Sequence, residues 1–170
     1  MKKLYLMRHA KSSWDDPRLE DHERPLTSRG RKAALRMGEH LAEVKVTPEV
    51  VLVTSAVRAR ETVEQLRSSL PPEAEVKVEP RLYSASGADL LRRIKRLSPR
   101  AGSVLIVGHN PAIQELTLEL AGRGDALERA AKKFPTAAVA VLEARVQRWA
   151  DLAPGKARLV DFVRPKDLKK

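Results

Sequence analysis

Cysteine is absent, which removes disulfide frameworks, thiol nucleophiles and zinc–thiolate sites. Aromatic residues make up only 4% of the chain, so few platforms exist on which nucleic-acid bases could stack. Long hydrophobic runs are also missing. The longest, Ala137 to Leu142, has six residues, against the roughly 20 of a membrane-spanning helix. Met1-Lys2-Lys3 has the charge of a secretion-signal start, but the apolar stretch Leu4–Met7 meets Arg8 too early to form its hydrophobic core. The expectation is a cytoplasmic protein that does not enter a membrane. Asn occurs once, at Asn110, and Gln three times. That scarcity fits a heat-adapted source and fits high-GC coding equally. No His-x-x-x-His pair or HExxH motif occurs, so no metal site is expected. The G-x-S-x-G elbow, the G-x-x-x-x-G-K-[ST] loop and G-x-G-x-x-G are likewise missing. Gly122-Arg123-Gly124 is a fragment that follows a helical pattern, not a strand.

What remains is a chain of 170 residues with 42% hydrophobic content, consistent with a single domain over residues 1–170. Lys and Arg number 33 and Asp and Glu 22, a net charge of +11. Such a balance asks which anion is served: nucleic acid, an acidic membrane, or phosphate on a small substrate or a protein. Short apolar runs at Leu4–Met7, Val50–Thr54, Val76–Val78, Val104–Val107, Ala137–Leu142 and Leu159–Val163 predict strands. Between them, helical spacing predicts helices over Thr27 to about Val44 with Thr27 as N-cap, after Thr54 to about Leu70 before Pro71-Pro72, and over Gly87–Leu97. Another starts at Asn110-Pro111, with Asn as N-cap and Pro in the first turn. Strand–helix alternation predicts an α/β protein with a largely parallel sheet. Ligands of such sheets bind beyond the carboxyl ends of the strands.

Those ends carry Arg8-His9, then Thr54-Ser55 with Arg58 close behind, then Gly108-His109-Asn110. Two of the four histidines thus occupy equivalent strand ends. Arg58 falls in the first turn of a helix, where the macrodipole disfavours a cation unless an anion is shared there. An anion bound at that helix start would reverse the sign, and Arg8, His9 and His109 at the neighbouring strand ends favour such a site over a solvated arginine. Ser55 either contacts phosphate or caps the helix, and capping is the expectation. Arg24 either borders the pocket or pairs with Asp21 or Glu23. His22, in a charged loop, and His40, on a helix face, are expected to be structural.

Five blocks in order carry a family resemblance. Leu6-Met7-Arg8-His9-Ala10 resembles the Arg-His-Gly signature of the histidine phosphatase superfamily, the phosphoglycerate mutase-like enzymes, with Ala10 for Gly. Arg24-Pro25-Leu26-Thr27 with Gly30, Thr54-Ser55 with Arg58-Ala59 and Thr62, and Val107-Gly108-His109-Asn110-Pro111 resemble its later blocks. Phe134 to Ala140 resembles the strand of the short SixA-like phosphohistidine phosphatases. The resemblance implies a three-layer α/β/α sandwich and a phosphatase in which His9 becomes phosphorylated and then yields phosphate to water, without a cofactor. It implies Arg8, Arg58 and His109 as a phosphate clamp, with Ser55 and Arg24 as secondary phosphate ligands. Many ester-cleaving relatives carry an acidic residue where Leu82-Tyr83-Ser84 stands here, so Ser84 replaces it. Asp15, Asp16, Glu61 and Glu79 are the alternative proton donors. The missing acid points to phosphohistidine on a protein as the substrate, with a small phosphate ester as the alternative.

The charge leaves one rival reading, a nucleic-acid-binding module. Its candidate patches are Arg92, Arg93, Lys95, Arg96 and Arg100, and the tail residues Lys166, Lys169 and Lys170. The former run is better explained as the solvated face opposite Leu90, Leu91, Ile94 and Leu97, and no nucleic-acid motif is present.

Overall fold

Alternation along short apolar strands sets the architecture. In the computed structural model, which describes residues 1–122 and 124–168 with Asp125 as backbone only, six strands form one sheet. They are β1 (Lys2–Arg8), β2 (Val50–Thr54), β3 (Glu75–Glu79), β4 (Ser103–Gly108), β5 (Val139–Ala144) and β6 (Ala157–Val163), in the order β3-β2-β4-β1-β5-β6. The first four are mutually parallel, and β5 runs antiparallel to its neighbours β1 and β6. Successive side chains of a strand point to opposite faces. Leu4, Leu6, Leu52, Val104 and Ile106 therefore bury on one face, and Tyr5, Met7, Val51, Val53, Leu105 and Val107 on the other. Helices α1 (Ser28–Glu43) and α2 (Val57–Leu66) cover the second face through Met37, Leu41, Val63 and Leu66. Helices α3 (Gly87–Lys95), α4 (Ala112–Ala121) and α5 (Asp125–Lys132) pack on the first through residues such as Leu90, Ile94, Leu116, Leu120 and Ala130. The three-layer sandwich with a mostly parallel sheet is thus observed.

Side-chain capping fixes the starts of α1 and α3. Thr27 Oγ1 accepts the Gly30 N–H at 2.9 Å, the expected N-cap. Ser86 and Asp89 form a capping box on α3. The start of α4 differs from expectation. Pro111 takes the N-cap position after a cis Asn110–Pro111 bond. Asn110 does not cap, because its side-chain amide donates to the Phe134 carbonyl at 3.0 Å. Helix α5 was not expected as a separate element. Gly122 and Gly124, with φ of +79° and +144°, adopt backbone conformations that end α4 and admit a new helix. Among the described residues no helix is long and apolar enough to cross a membrane. Arg123 of the Gly-Arg-Gly fragment and Lys169 and Lys170 of the basic tail lie outside the described residues.

One glycine ties the helix layer to the chain just past β1. A Cβ on Gly30 would lie 2.2 Å from the Lys11 carbonyl oxygen, which already accepts the Thr27 N–H at 2.9 Å. The obstacle is backbone and cannot rotate away. Gly30→Ala should therefore cost about 3 kcal/mol, the upper part of the usual overpacking range, and lower Tm by roughly 6–10 °C in a domain of this size. Thermal unfolding followed by circular dichroism checks this; an unchanged Tm contradicts it.

Candidate active site

The parallel register of β1 and β4 sets Arg8 opposite Gly108. His9 and His109 are the next residues on each strand, so their rings come together with centroids 5.2 Å apart. The His9 N–H closes the ladder on the Gly108 carbonyl at 2.9 Å. A third strand end contributes Thr54, whose Oγ1 lies 2.7 Å from His109 Nε2.

His9 is 6% exposed, and its Nδ1 lies 2.7 Å from the Ala10 carbonyl oxygen. A carbonyl only accepts, so Nδ1 carries the proton and Nε2 keeps its lone pair. Arg58 Nε donates to that lone pair at 3.3 Å. Burial drives the His9 pKa down to about 3, helped by the positive surroundings of His109, Arg58 and Arg8 and opposed by the Ala10 carbonyl. His109 is pushed down to about 4, again by burial first and Arg58 next. Thr54 Oγ1 engages His109 Nε2, while His109 Nδ1 and Arg8 Nε are both buried and have no hydrogen-bond partner among the described residues. Arg8 also donates through Nη1 to the Phe134 carbonyl at 3.1 Å. Burial and the nearby Arg58 lower the Arg8 pKa, yet a guanidinium remains charged at any physiological pH. The structure thus brings Arg8, His9, Arg58 and His109 to one end of the sheet, with Arg58 directly on His9 Nε2, the His109 ring 5.2 Å from that of His9, and Arg8 near enough to affect the charge of both imidazoles.

Arg58 is aimed by an aspartate that sequence reasoning had considered only as a partner of Arg24. Its two Nη atoms donate to Asp21, to the carbonyl at 2.7 Å and to Oδ2 at 3.0 Å. The Tyr83 hydroxyl donates to the same carboxylate, and Arg24 Nε reaches Oδ1 at 3.2 Å. The Tyr83 hydroxyl, followed by the guanidiniums, holds the Asp21 carboxyl at about 2, so it stays ionised. This carboxylate also offsets the unfavourable cation in the first turn of α2.

Arg24 follows the ion-pair alternative with Asp21, and Glu23 is not its partner. It is 7% exposed, donates to Ser12 Oγ at 2.8 Å and stacks over Trp14 with its guanidinium carbon 3.5 Å from the ring centroid. Ser55 departs from the capping expectation. Ala56 is the N-cap residue of α2 and makes no side-chain cap bond, while Ser55 Oγ lies 2.7 Å from His22 Nε2. His22 is therefore not confined to a charged loop. Its ring meets Tyr83 edge-on at 4.8 Å, and Tyr83 meets His109 edge-on at 5.6 Å. His40 lies apart, on α1 beside Phe162 and Val163.

Asp21, His22 and Tyr83 are the site residues that sequence reasoning missed. The only signal was their place, within three positions of Arg24 or beside Ser84. Ser84 itself is exposed. The alternative acids are engaged elsewhere or exposed. Asp16 pairs with Arg18, Glu61 accepts the Leu26 N–H, Glu79 pairs with Arg93, and Asp15 faces solvent.

Comparison with known proteins agrees with this geometry. The profile of the histidine phosphatase superfamily (branch 1) matches residues 4–86. An uncharacterized protein of Mycobacterium leprae is 39% identical over 168 residues, covering 94% of this chain and 100% of that one. The phosphohistidine phosphatase SixA of Escherichia coli K12 is 30% identical over 119 residues, covering 69% of this chain and 73% of that one. A solved structure of the protein histidine phosphatase SixA complexed with tungstate has a TM-score of 0.80 and 26% identity, covering 98% of this chain and 99% of that one.

The two buried imidazoles give stability a defined pH dependence. Unfolded, they bind protons near pH 6.5; folded, only near pH 3 and 4. Between those limits the unfolded chain holds more protons, so stability rises with pH and is lost as pH falls below about 6.5. The urea midpoint should drop between pH 7 and 4.5. The drop should shrink in a His9→Asn/His109→Asn double variant; an identical drop contradicts the assignment.

Proposed function

Because the chain belongs to the histidine phosphatase superfamily, in its SixA-like branch, we propose that it is a phosphatase acting on phosphohistidine carried by a protein, with His9 as the nucleophile. The observation that carries this reading is the aim of His9 Nε2. Its lone pair is fixed by the Nδ1–Ala10 bond, and the imidazole is neutral at working pH. Arg8 Nε is a buried donor and His109 Nδ1 a buried ring nitrogen, each with no partner among the described residues, and His109 donates from Nδ1 in the tautomer that takes a hydrogen bond from Thr54. Donors already in place cost little reorganisation as charge builds on the equatorial oxygens of phosphorus.

In the first step Nε2 of His9 attacks phosphorus, and the P–N bond to the substrate imidazole breaks. The substrate imidazole, already protonated on its other ring nitrogen, keeps the bonding electron pair as a lone pair and leaves neutral. In the second step water attacks phosphorus, the P–Nε2 bond breaks, and inorganic phosphate leaves with His9 restored. Arg58, braced by Asp21, and Arg8 neutralise the transferring group.

The proton inventory supports a P–N substrate. Asp21 is the carboxylate in direct contact with Arg58, and the hydrogen bonds that hold it ionised leave it no proton to donate. An alkoxide leaving group needs such a donor. An imidazole does not, since it can be protonated on the phosphoramidate before the bond breaks.

A substrate panel tests this. Wild type should show higher kcat/KM on a histidine-phosphorylated protein than on phosphomonoesters such as p-nitrophenyl phosphate. His9→Ala should lose turnover on all of them. Arg58→Ala should lower kcat by roughly 10²–10³, the scale of losing one transition-state donor. Faster ester hydrolysis would replace this substrate with a small phosphate ester, and an active His9→Ala would remove the nucleophile assignment.

A further inference from the structure

A second electropositive feature lies beside the pocket, and no step of the chemistry uses it. A groove of about 510 Å³ is lined by Lys132 and Lys133 at the end of α5, by Pro135 and Thr136, and by Arg164 and Lys166 after β6. Pairing of Met7 with Val139 and of Val139 with Val163 places these segments at the same end of the sheet as His9. Pro135 and Thr136, which line the groove, lie between two residues bonded to the pocket segments. The Phe134 carbonyl accepts Arg8 and Asn110, and the Ala137 N–H lies 3.0 Å from the Arg8 carbonyl and 3.1 Å from that of His9.

Among the described residues no carboxylate lines this groove. Arg164 is neutralised by Asp167, and Arg129 is turned to the Phe162 carbonyl. Lys132, Lys133 and Lys166 are exposed, and none takes part in the ion pairs found among the described residues. The groove at the opposite edge of the sheet, beside β3, is different. There Arg92 pairs with Asp89 and Arg93 with Glu79. The dipole of α5 favours a cation at its end and accounts for Lys132. It does not account for Lys166, which another segment brings to the same place.

Like charges held near one another repel, and an anionic occupant reverses the sign. The lysines stand on two segments, with flexible stems and no shared focus. That spacing suits several carboxylates spread over a surface, not one phosphate, which calls for converging buried donors. We infer that the Lys132–Lys133–Lys166 face docks the acidic surface of the protein whose phosphohistidine enters the His9 pocket. The inference rests on the protein-phosphohistidine reading above.

The test uses the full chain, a histidine-phosphorylated carrier protein of net negative charge, and phosphoramidate as the small substrate. A Lys132→Glu/Lys133→Glu/Lys166→Glu variant should lose about tenfold or more in kcat/KM on the carrier and match wild type on phosphoramidate, which also reports correct folding. Binding of the carrier to a His9→Ala chain should weaken with added salt and by a similar factor when the three reversals are introduced. Unchanged carrier binding in the reversed variant, or no binding by the His9→Ala chain itself, overturns the docking face. Equal losses on carrier and phosphoramidate also overturn it, since the lysines would then act on the pocket. Displacement of the carrier by a lower concentration of duplex DNA overturns it in favour of nucleic acid. If wild type binds the carrier through these lysines but does not hydrolyse it, the substrate reading fails and the docking face stands.

Discussion

The catalytic end depends on the register between two parallel strands. Arg8 opposite Gly108 fixes His9 beside His109, and the ladder bond from His9 to the Gly108 carbonyl locks that alignment. A slip of one residue would send every side chain of β1 to the other face of the sheet. Leu4 and Leu6 would leave the core under α3 and α4, and His9 would turn away from Arg58. The cores that stabilise the sheet are thus the same constraint that places the nucleophile. Because Arg8 and His9 alternate in direction, one reaches the Phe134 carbonyl on the α5 side and the other meets Arg58 on the α2 side.

Around that fixed pair, charge is arranged so that the imidazoles stay neutral and the guanidiniums stay in place. Asp21 is the hub. It takes bonds from Arg58, Arg24 and Tyr83, and remains ionised because of them. A buried arginine without such a partner would be costly to hold. With it, Arg58 can lie 7% exposed against His9. The opening excess of +11 divides accordingly. A small part belongs to the pocket and a second part to the unpaired lysines beside it. Much of the remainder lies on exposed side chains, while the exposed ion pairs carry no net charge and contribute little to stability.

The strands, the mostly parallel sheet and the placing of Arg8, His9, Arg58 and His109 at or just past strand ends were legible from local patterns, while the three-layer sandwich and the clamp role came from the family resemblance. Apolar runs mark strands, and residues directly after parallel strands must share one edge. Asp21, His22 and Tyr83 were not legible for the opposite reason. They sit in or next to the short 3-10 turns Asp21–Glu23 and Pro80–Leu82, far apart in sequence, and only the fold brings them onto Arg58 and Ser55. Ser55 and Asn110 show the same limit. Both have the side chain of a helix cap, and both hydrogen-bond a distant partner instead, His22 in one case and the Phe134 carbonyl in the other.

The central claim is that the phosphoryl group resides on His9 between the two displacements. Mass spectrometry of the chain quenched in alkali during turnover, where phosphohistidine survives, tests it most directly. The account predicts one added HPO₃ on the peptide carrying His9, lost on acid treatment and absent from the His9→Ala chain. Phosphoryl found on His109 or His22 instead, or turnover with no protein-bound phosphoryl group at any time, would contradict it.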